Sequence, residues 1–164
     1  MTYYDFVKEY MNVDECKNNK KYSSAGHTFC WSKDDSINAE GLYWFYEGNG
    51  FIIDIHDFYI KEEVIQNSTY SMENYVSICS SYIVSANGEK FNPYQTLTPN
   101  SLYTLDFDNI EDDFLFLLHE NSYYLTVSVG FKRELLEKYL SSINIDLESF
   151  YRALLQTNQI ILTK

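Results

Sequence analysis

Hydrophobic positions change period twice along this chain. At the start, Tyr3, Phe6, Val7 and Tyr10 recur at helical spacing, with Thr2 placed to cap and Asp5 three residues on. That spacing predicts a short helix over Thr2 to Met11. Asp14 to Ser24 is polar, rich in Lys and Asn, and reads as a loop. From His27 alternation takes over. Strands are expected at Thr28 to Ser32, around Phe29 and Trp31, then at Leu42 to Tyr46, Phe51 to Ile60, Tyr75 to Ser85, Glu89 to Tyr94, Leu102 to Phe107, Phe114 to Leu118 and Tyr123 to Val129. Helical spacing then returns. Phe131, Leu135, Leu136, Tyr139 and Leu140 form one stripe, and Leu147, Phe150, Leu154 and Leu155 a second, with Asn144 or Asp146 available as cap.

Turn residues suggest how the strands connect. Glu47-Gly48-Asn49-Gly50 tolerates positive φ, so Phe51 to Ile60 is expected to return along the preceding strand as a hairpin. Asn87-Gly88 is the strongest hairpin signal in the chain and predicts that Tyr75 to Ser85 folds back onto Glu89 to Tyr94. Pro93 and Pro99 bracket a turn or an irregular edge, because proline has no N–H for a ladder. Within the strands, Val76, Ile78, Tyr82 and Val84 share one face, as do Tyr123, Leu125, Val127 and Val129. The fold class expected is mainly β: an antiparallel barrel or sandwich, with a short N-terminal helix and two C-terminal helices. A β body over 1–130 and a helical pair over 131–164 are the expected divisions.

Composition sharpens this picture. With 164 residues, one domain with its own core is the natural size. Aromatics reach 18%, with 16 Tyr, 11 Phe and 2 Trp, which agrees with strands and exceeds what one small core consumes. The net charge of −12 works against contact with phosphate backbones, and it is uneven: residues 132–164 carry 5 of the 12 basic and 4 of the 24 acidic residues. Cys16, Cys30 and Cys79 form no C-x-x-C pair, so three free thiols in a reducing cytoplasm are expected. The first residues lack the apolar core of a signal peptide, and no apolar run is long enough to span a bilayer. Asn67-Ser68-Thr69 matches a glycosylation sequon, which is without meaning in a cytosolic chain.

Candidate chemistry is sparse. His27, His56 and His119 are far apart and sit in no metal-binding spacing, so neither metal nor cofactor is expected. No nucleophile elbow, phosphate loop or dinucleotide fingerprint is present, and no catalytic residue is assigned. Asp54 and His56 share a strand face, as a hydrogen-bonded pair in a barrel mouth or as a solvated surface. The acidic group Asp106, Asp108, Glu111, Asp112 and Asp113 reads as a solvated connection or a weak cation site. The aromatic excess fits core filling or a ring-lined cavity.

The order Gly41-Leu42-Tyr43-Trp44-Phe45-Tyr46, Phe51-Ile52-Ile53-Asp54-Ile55-His56-Asp57-Phe58, Asn92-Pro93-Tyr94 and His119-Glu120-Asn121 resembles the N-terminal half of AraC-family transcriptional regulators of the Firmicutes type. The likeness runs on to Val127-Ser128-Val129-Gly130 and Leu135-Leu136-Glu137-Lys138-Tyr139-Leu140. The resemblance implies a cupin-like sensory domain that binds a small-molecule effector and forms a homodimer. DNA would be contacted only through a helix-turn-helix domain beyond Lys164. No family motif transfers the effector contacts. From the residues themselves, Trp44, His56, Tyr82 and His119 are the pocket candidates, and Leu135, Tyr139, Leu147 and Leu154 the dimerisation candidates. A carbohydrate-binding module and a cupin enzyme are the alternative readings; no membrane partner is expected.

Overall fold

The computed structural model describes residues 2–10, 14–16, 18–31, 39–66, 72–109 and 114–157. Helix α1 (Tyr3–Tyr10) opens the chain. Strands β1 (Asp14–Glu15), β2 (His27–Trp31), β3 (Ala39–Glu47), β4 (Phe51–Ile60), β5 (Val64–Gln66), β6 (Ile78–Ser85), β7 (Gly88–Phe91), β8 (Gln95–Leu97), β9 (Ser101–Asp106), β10 (Leu115–Leu118) and β11 (Ser122–Phe131) follow. Helices α2 (Arg133–Ser142) and α3 (Leu147–Thr157) close it. The protein is mainly β, as the alternation predicts. All of its strand pairs are antiparallel.

The strands form a seven-stranded sheet, in the order β1-β2-β3-β4-β11-β6-β9, and a four-stranded sheet, β5-β10-β7-β8. Both keep their edge strands unjoined among the described residues, so they do not close into a barrel. They face each other across one core that draws Phe29, Tyr43, Phe45, Phe58, Ile83, Tyr103 and Tyr124 from the large sheet and Leu97 and Leu118 from the small one. Helix α1 adds Tyr3, Phe6 and Val7 to that core, with the Tyr3 ring 4.8 Å from Phe45. Its start is the expected capping box: Asp5 N–H donates to Thr2 Oγ1, and Thr2 N–H donates to Asp5 Oδ2.

The β3–β4 hairpin forms as the turn residues predict, with Glu47 opposite Ile52 and Gly50 at φ 84°. The hairpin expected at Asn87-Gly88 does not. β6 pairs with β11 and β9, whereas β7 pairs with β10 and β8, so the chain crosses between sheets at this point. A two-residue turn signal describes local backbone only, and here the partner strands lie far away in sequence. The loop expected from Asp14 contributes the two-residue β1, and the strand expected from Tyr75 starts at Ile78.

Cys16 and Cys30 are also corrected. They lie in a disulfide across β1 and β2, with Cα atoms 5.8 Å apart, and Cys79 alone is free. Spacing of 14 residues gave no sign of this, because the pairing depends on which strands become neighbours. The sequon, Glu111 to Asp113 and the apolar Ile160 to Leu162 lie outside the described residues. No helix among the described residues is long and apolar enough to cross a membrane.

Candidate functional site

Register decides which alternate residues of the large sheet face the core. Opposite one another lie Tyr43 and His56, Phe45 and Asp54, His56 and Thr126, Asp54 and Ser128, Ser128 and Ser81, and Ser81 and Tyr103. All of them are on the inner face, beside the core residues Phe58, Tyr124 and Ile83. The apolar sets in β6 and β11, Tyr82 and Val84 with Tyr123, Leu125, Val127 and Val129, therefore lie on the outer face. Val84 is 42% exposed and Val127 39%, whereas Thr126 is fully buried and Ser81 and Ser128 nearly so. In the middle of β4, β11 and β6 the inner face is polar, bordered by the buried Ile52, Phe58, Ile60 and Ile83, while the outer face is largely apolar.

The inner polar groups satisfy one another along two lines. Tyr43 OH donates to Asp54 Oδ2 at 3.0 Å, so the 2.6 Å contact between the Tyr3 and Tyr43 hydroxyls has Tyr3 as its donor. Burial first, and the neighbouring Asp54 carboxylate next, hold both phenols well above their usual range, so both remain protonated. The second line joins Ser81 Oγ to Ser128 Oγ at 2.7 Å and Tyr103 OH to Tyr124 OH at 3.1 Å. Burial pushes the Tyr124 phenol up to about 12. His56 stands between them. Its Nδ1 is 3.3 Å from Thr126 Oγ1 and 3.5 Å from Asp54 Oδ1, and its ring is 4.8 Å from that of Tyr43.

One atom is left over. Asp54 Oδ1 is buried and accepts no hydrogen bond among the described residues. A carboxylate oxygen so placed costs about 1–3 kcal/mol in lost hydration. The cluster is poorly suited to nucleophilic chemistry: burial and then Asp54 push the Cys79 thiol up to about 12, against the lowering effect of the Ser81 and Ser128 hydroxyls.

Of the four pocket candidates named from sequence, the structure places only His56 in this cluster. Trp44 lies on the outer face, where its Nε1 donates to Ser23 O at 2.8 Å. Tyr82, also outer, donates to Asn100 Oδ1 at 2.8 Å. His119 lies at one end of the small sheet, its Nε2 2.7 Å from Glu89 Oε2 and its Nδ1 3.4 Å from Glu63 Oε2. Asp54, paired with His56 from sequence but not named among the pocket candidates, lies in the cluster, whereas Tyr43, Thr126, Ser128, Ser81 and Tyr3 were missed. The shared strand face of Asp54 and His56 was the signal for that pair alone, since the others join it through neighbouring strands. No group of three or more His, Cys, Asp or Glu among the described residues is arranged to hold a metal ion. In the acidic connection, Asp108 is held by Arg133 at 2.7 Å, and Asp106 accepts from Asp108 N–H and from Asn109 Nδ2.

A second buried carboxylate marks the outer face. Asp57 on β4 accepts from Lys21 Nζ at 2.6 Å and from the hydroxyls of Tyr22 and Tyr123. With Trp44 bound to Ser23, these contacts strap residues 18–26 over the β3–β4 side of the sheet. Burial alone would raise the Asp57 pKa, but the three donors outweigh it and hold the carboxyl below its ordinary range.

The dimerisation candidates divide. Leu135 is half-buried against Gly50, and Leu147 packs with Leu136, Leu140 and Ile78 in a small satellite core. Tyr139 is 62% exposed, and the Leu154 side chain lies outside the described set. No protein-family model matches the chain, and no curated protein matches it.

Proposed function

We propose that this chain is the sensory part of a regulator of the AraC type, in which the polar patch between the sheets binds a small-molecule effector. The observation that carries it is Asp54: a buried carboxylate whose Oδ1 accepts no hydrogen bond among the described residues, with His56 Nδ1 3.5 Å away, amid hydroxyls and aromatic walls. A ligand hydroxyl or ammonium group donating to Oδ1 would remove the cost of that oxygen, while Ser81, Ser128 and Thr126 orient the rest and the rings enclose it. Binding of this kind calls for no cofactor and no catalytic residue.

Native mass spectrometry of the protein purified from its own cells tests this. A small adduct that disappears in Asp54→Asn supports effector binding, and its mass identifies the class. An adduct-free wild type whose stability rises in Asp54→Asn would mean that the oxygen is merely tolerated.

Homodimerisation belongs to the same proposal, with the contact moved to the exposed part of the helical pair, Tyr139, Ile143 and Ile145. Tyr139→Glu is expected to yield monomers in sedimentation; an unchanged association state removes this contact. Cytoplasmic placement is also proposed. The Cys16–Cys30 disulfide weighs against it. Alkylation of acid-trapped protein decides the matter, since three reactive thiols fit a reducing compartment and one does not.

One observation favours a second reading, a carbohydrate-binding module. Tyr59 and Tyr123 lie directly opposite each other on β4 and β11, and both are exposed on the outer face. A ring pair of this kind can stack on a sugar. Fluorescence titration with an oligosaccharide panel, compared between wild type and Tyr59→Ala, separates it from the first reading.

A further inference from the structure

Lys90 is 1% exposed, the most deeply buried charged residue in the described structure. It sits on β7 with Phe116 opposite on β10 and Gln95 opposite on β8. The buried residues of these three strands, Gly88, Gln95, Leu97 and Leu118, share its face, so Lys90 lies on the inner face of the small sheet. Its ammonium donates one hydrogen bond, to Pro93 O at 3.0 Å, and stands 5.8 Å from the centre of the Phe114 ring. No carboxylate among the described residues forms an ion pair with it. Burial lowers its pKa, and no charge among the described residues offsets that.

One carbonyl and one ring do not replace the hydration of an ammonium, which has three donors to fill. Strand ends usually let a lysine reach water by extending its stem, yet this one is turned inward. Its surroundings are aromatic: Phe114 touches Phe116, and Phe116 touches Tyr103, with ring centres 5.1 and 5.5 Å apart. A fixed cation, walled by rings and with a single acceptor among the described residues, is the complement of a flat anion.

We propose that Lys90 anchors the oxyanion group of a small aromatic or apolar acid held between the sheets near β7, β8 and β10. Phe114 and Phe116 would cover its apolar part, and the ammonium would donate two hydrogen bonds to the oxyanion while keeping the one to Pro93 O. The inference does not depend on Asp54, which belongs to the opposite sheet and binds through its own unfilled oxygen.

Benzoate and inorganic phosphate are suitable probes. In full-length protein labelled with 13C at lysine Cε, benzoate is expected to shift the Lys90 resonance and to raise the melting temperature, and phosphate to do so more weakly. Lys90→Met should weaken benzoate binding by roughly ten- to a hundredfold, the loss expected for a hydrogen-bonded ion, while Lys90→Arg keeps part of it. Should Lys90→Met fail to fold, the wild-type resonance still decides. Three results overturn the proposal: a Lys90 resonance that neither anion moves, equal benzoate affinity in Lys90→Met, or a resonance displaced by neutralising Glu111, Asp112 and Asp113, which would put the countercharge in the chain itself. Benzoate binding that survives Asp54→Asn keeps this site separate from the effector reading, so either can fail alone.

Discussion

The inner and outer faces of the large sheet are built from the same three strands, β4, β11 and β6, and they contradict ordinary amphipathic patterning. Inside lie Asp54, His56, Thr126, Ser128, Ser81 and Cys79. Outside lie Ile53, Ile55, Val127, Val129, Tyr82 and Val84. A half-buried sheet normally turns its apolar face inward. Here stability comes from Phe29 and Phe45 on β2 and β3 and from Phe58, Ile60 and Ile83 beside the polar residues of β4 and β6, and the middle is given to hydrogen bonds. Each hydroxyl buried there is satisfied by a neighbour at a net gain of only about 1 kcal/mol, so the polar centre adds less to stability than the apolar residues around it.

The two buried aspartates show the contrast most clearly. They stand three residues apart on β4 and point to opposite faces. Asp57, outside, accepts from three donors, and Asp54, inside, has one oxygen hydrogen-bonded by Tyr43 and one that accepts no hydrogen bond among the described residues. Asp57→Asn is accordingly the largest effect expected: about 2–3 kcal/mol of stability lost at neutral pH, as befits hydrogen bonds to a charged group. Its pH dependence has a definite sign. The folded pKa is depressed, so the contribution is complete above the unfolded carboxylate pKa of about 4 and fades as pH falls through the folded value. Urea midpoints of wild type and Asp57→Asn should therefore converge in acid. A gap that stays constant down to pH 3 would show that Asp57 matters through packing alone.

A smaller effect is expected at the Ser81–Ser128 pair. Each change to Ala leaves a buried hydroxyl without its partner and should cost about 1–2 kcal/mol, while the double variant should cost less than the sum. Strict additivity in denaturant titrations would mean that the two hydroxyls do not depend on each other, and would weaken the picture of a connected polar interior. The smallest effect belongs to the outer face. Val127→Thr should change stability by less than about 0.5 kcal/mol, because the side chain is more than a third exposed. A loss above about 1 kcal/mol would reveal that this apolar face is covered in solution.

Much of this was legible in the chain itself. The capping box at Thr2 and Asp5, the β3–β4 turn, the closing helices and the mainly β class all depend on residues close in sequence, where local sterics and period determine the outcome. Asp54 and His56 could be paired on one face for the same reason: two residues apart in a strand is a geometric certainty. Tyr43, Thr126, Ser128 and Ser81 could not be added to them, because most of them join through strand partners far away in sequence, as Ser128 does opposite Asp54.

Local pattern also left the faces without a direction. Alternation groups Tyr123 with Val127 and Tyr124 with Thr126, but a strand rotated by half a turn presents the opposite set, and both sets here contain large apolar residues. The second sheet decided the matter by covering Thr126 and leaving Val127 to solvent. It likewise drew Gly88 away from the hairpin that Asn87-Gly88 advertises and turned Lys90 inward, while in the large sheet the setting of β1 against β2 brought Cys16 to Cys30. Each of these rests on contacts between segments distant in sequence, whose closure entropy is offset only when the whole core assembles.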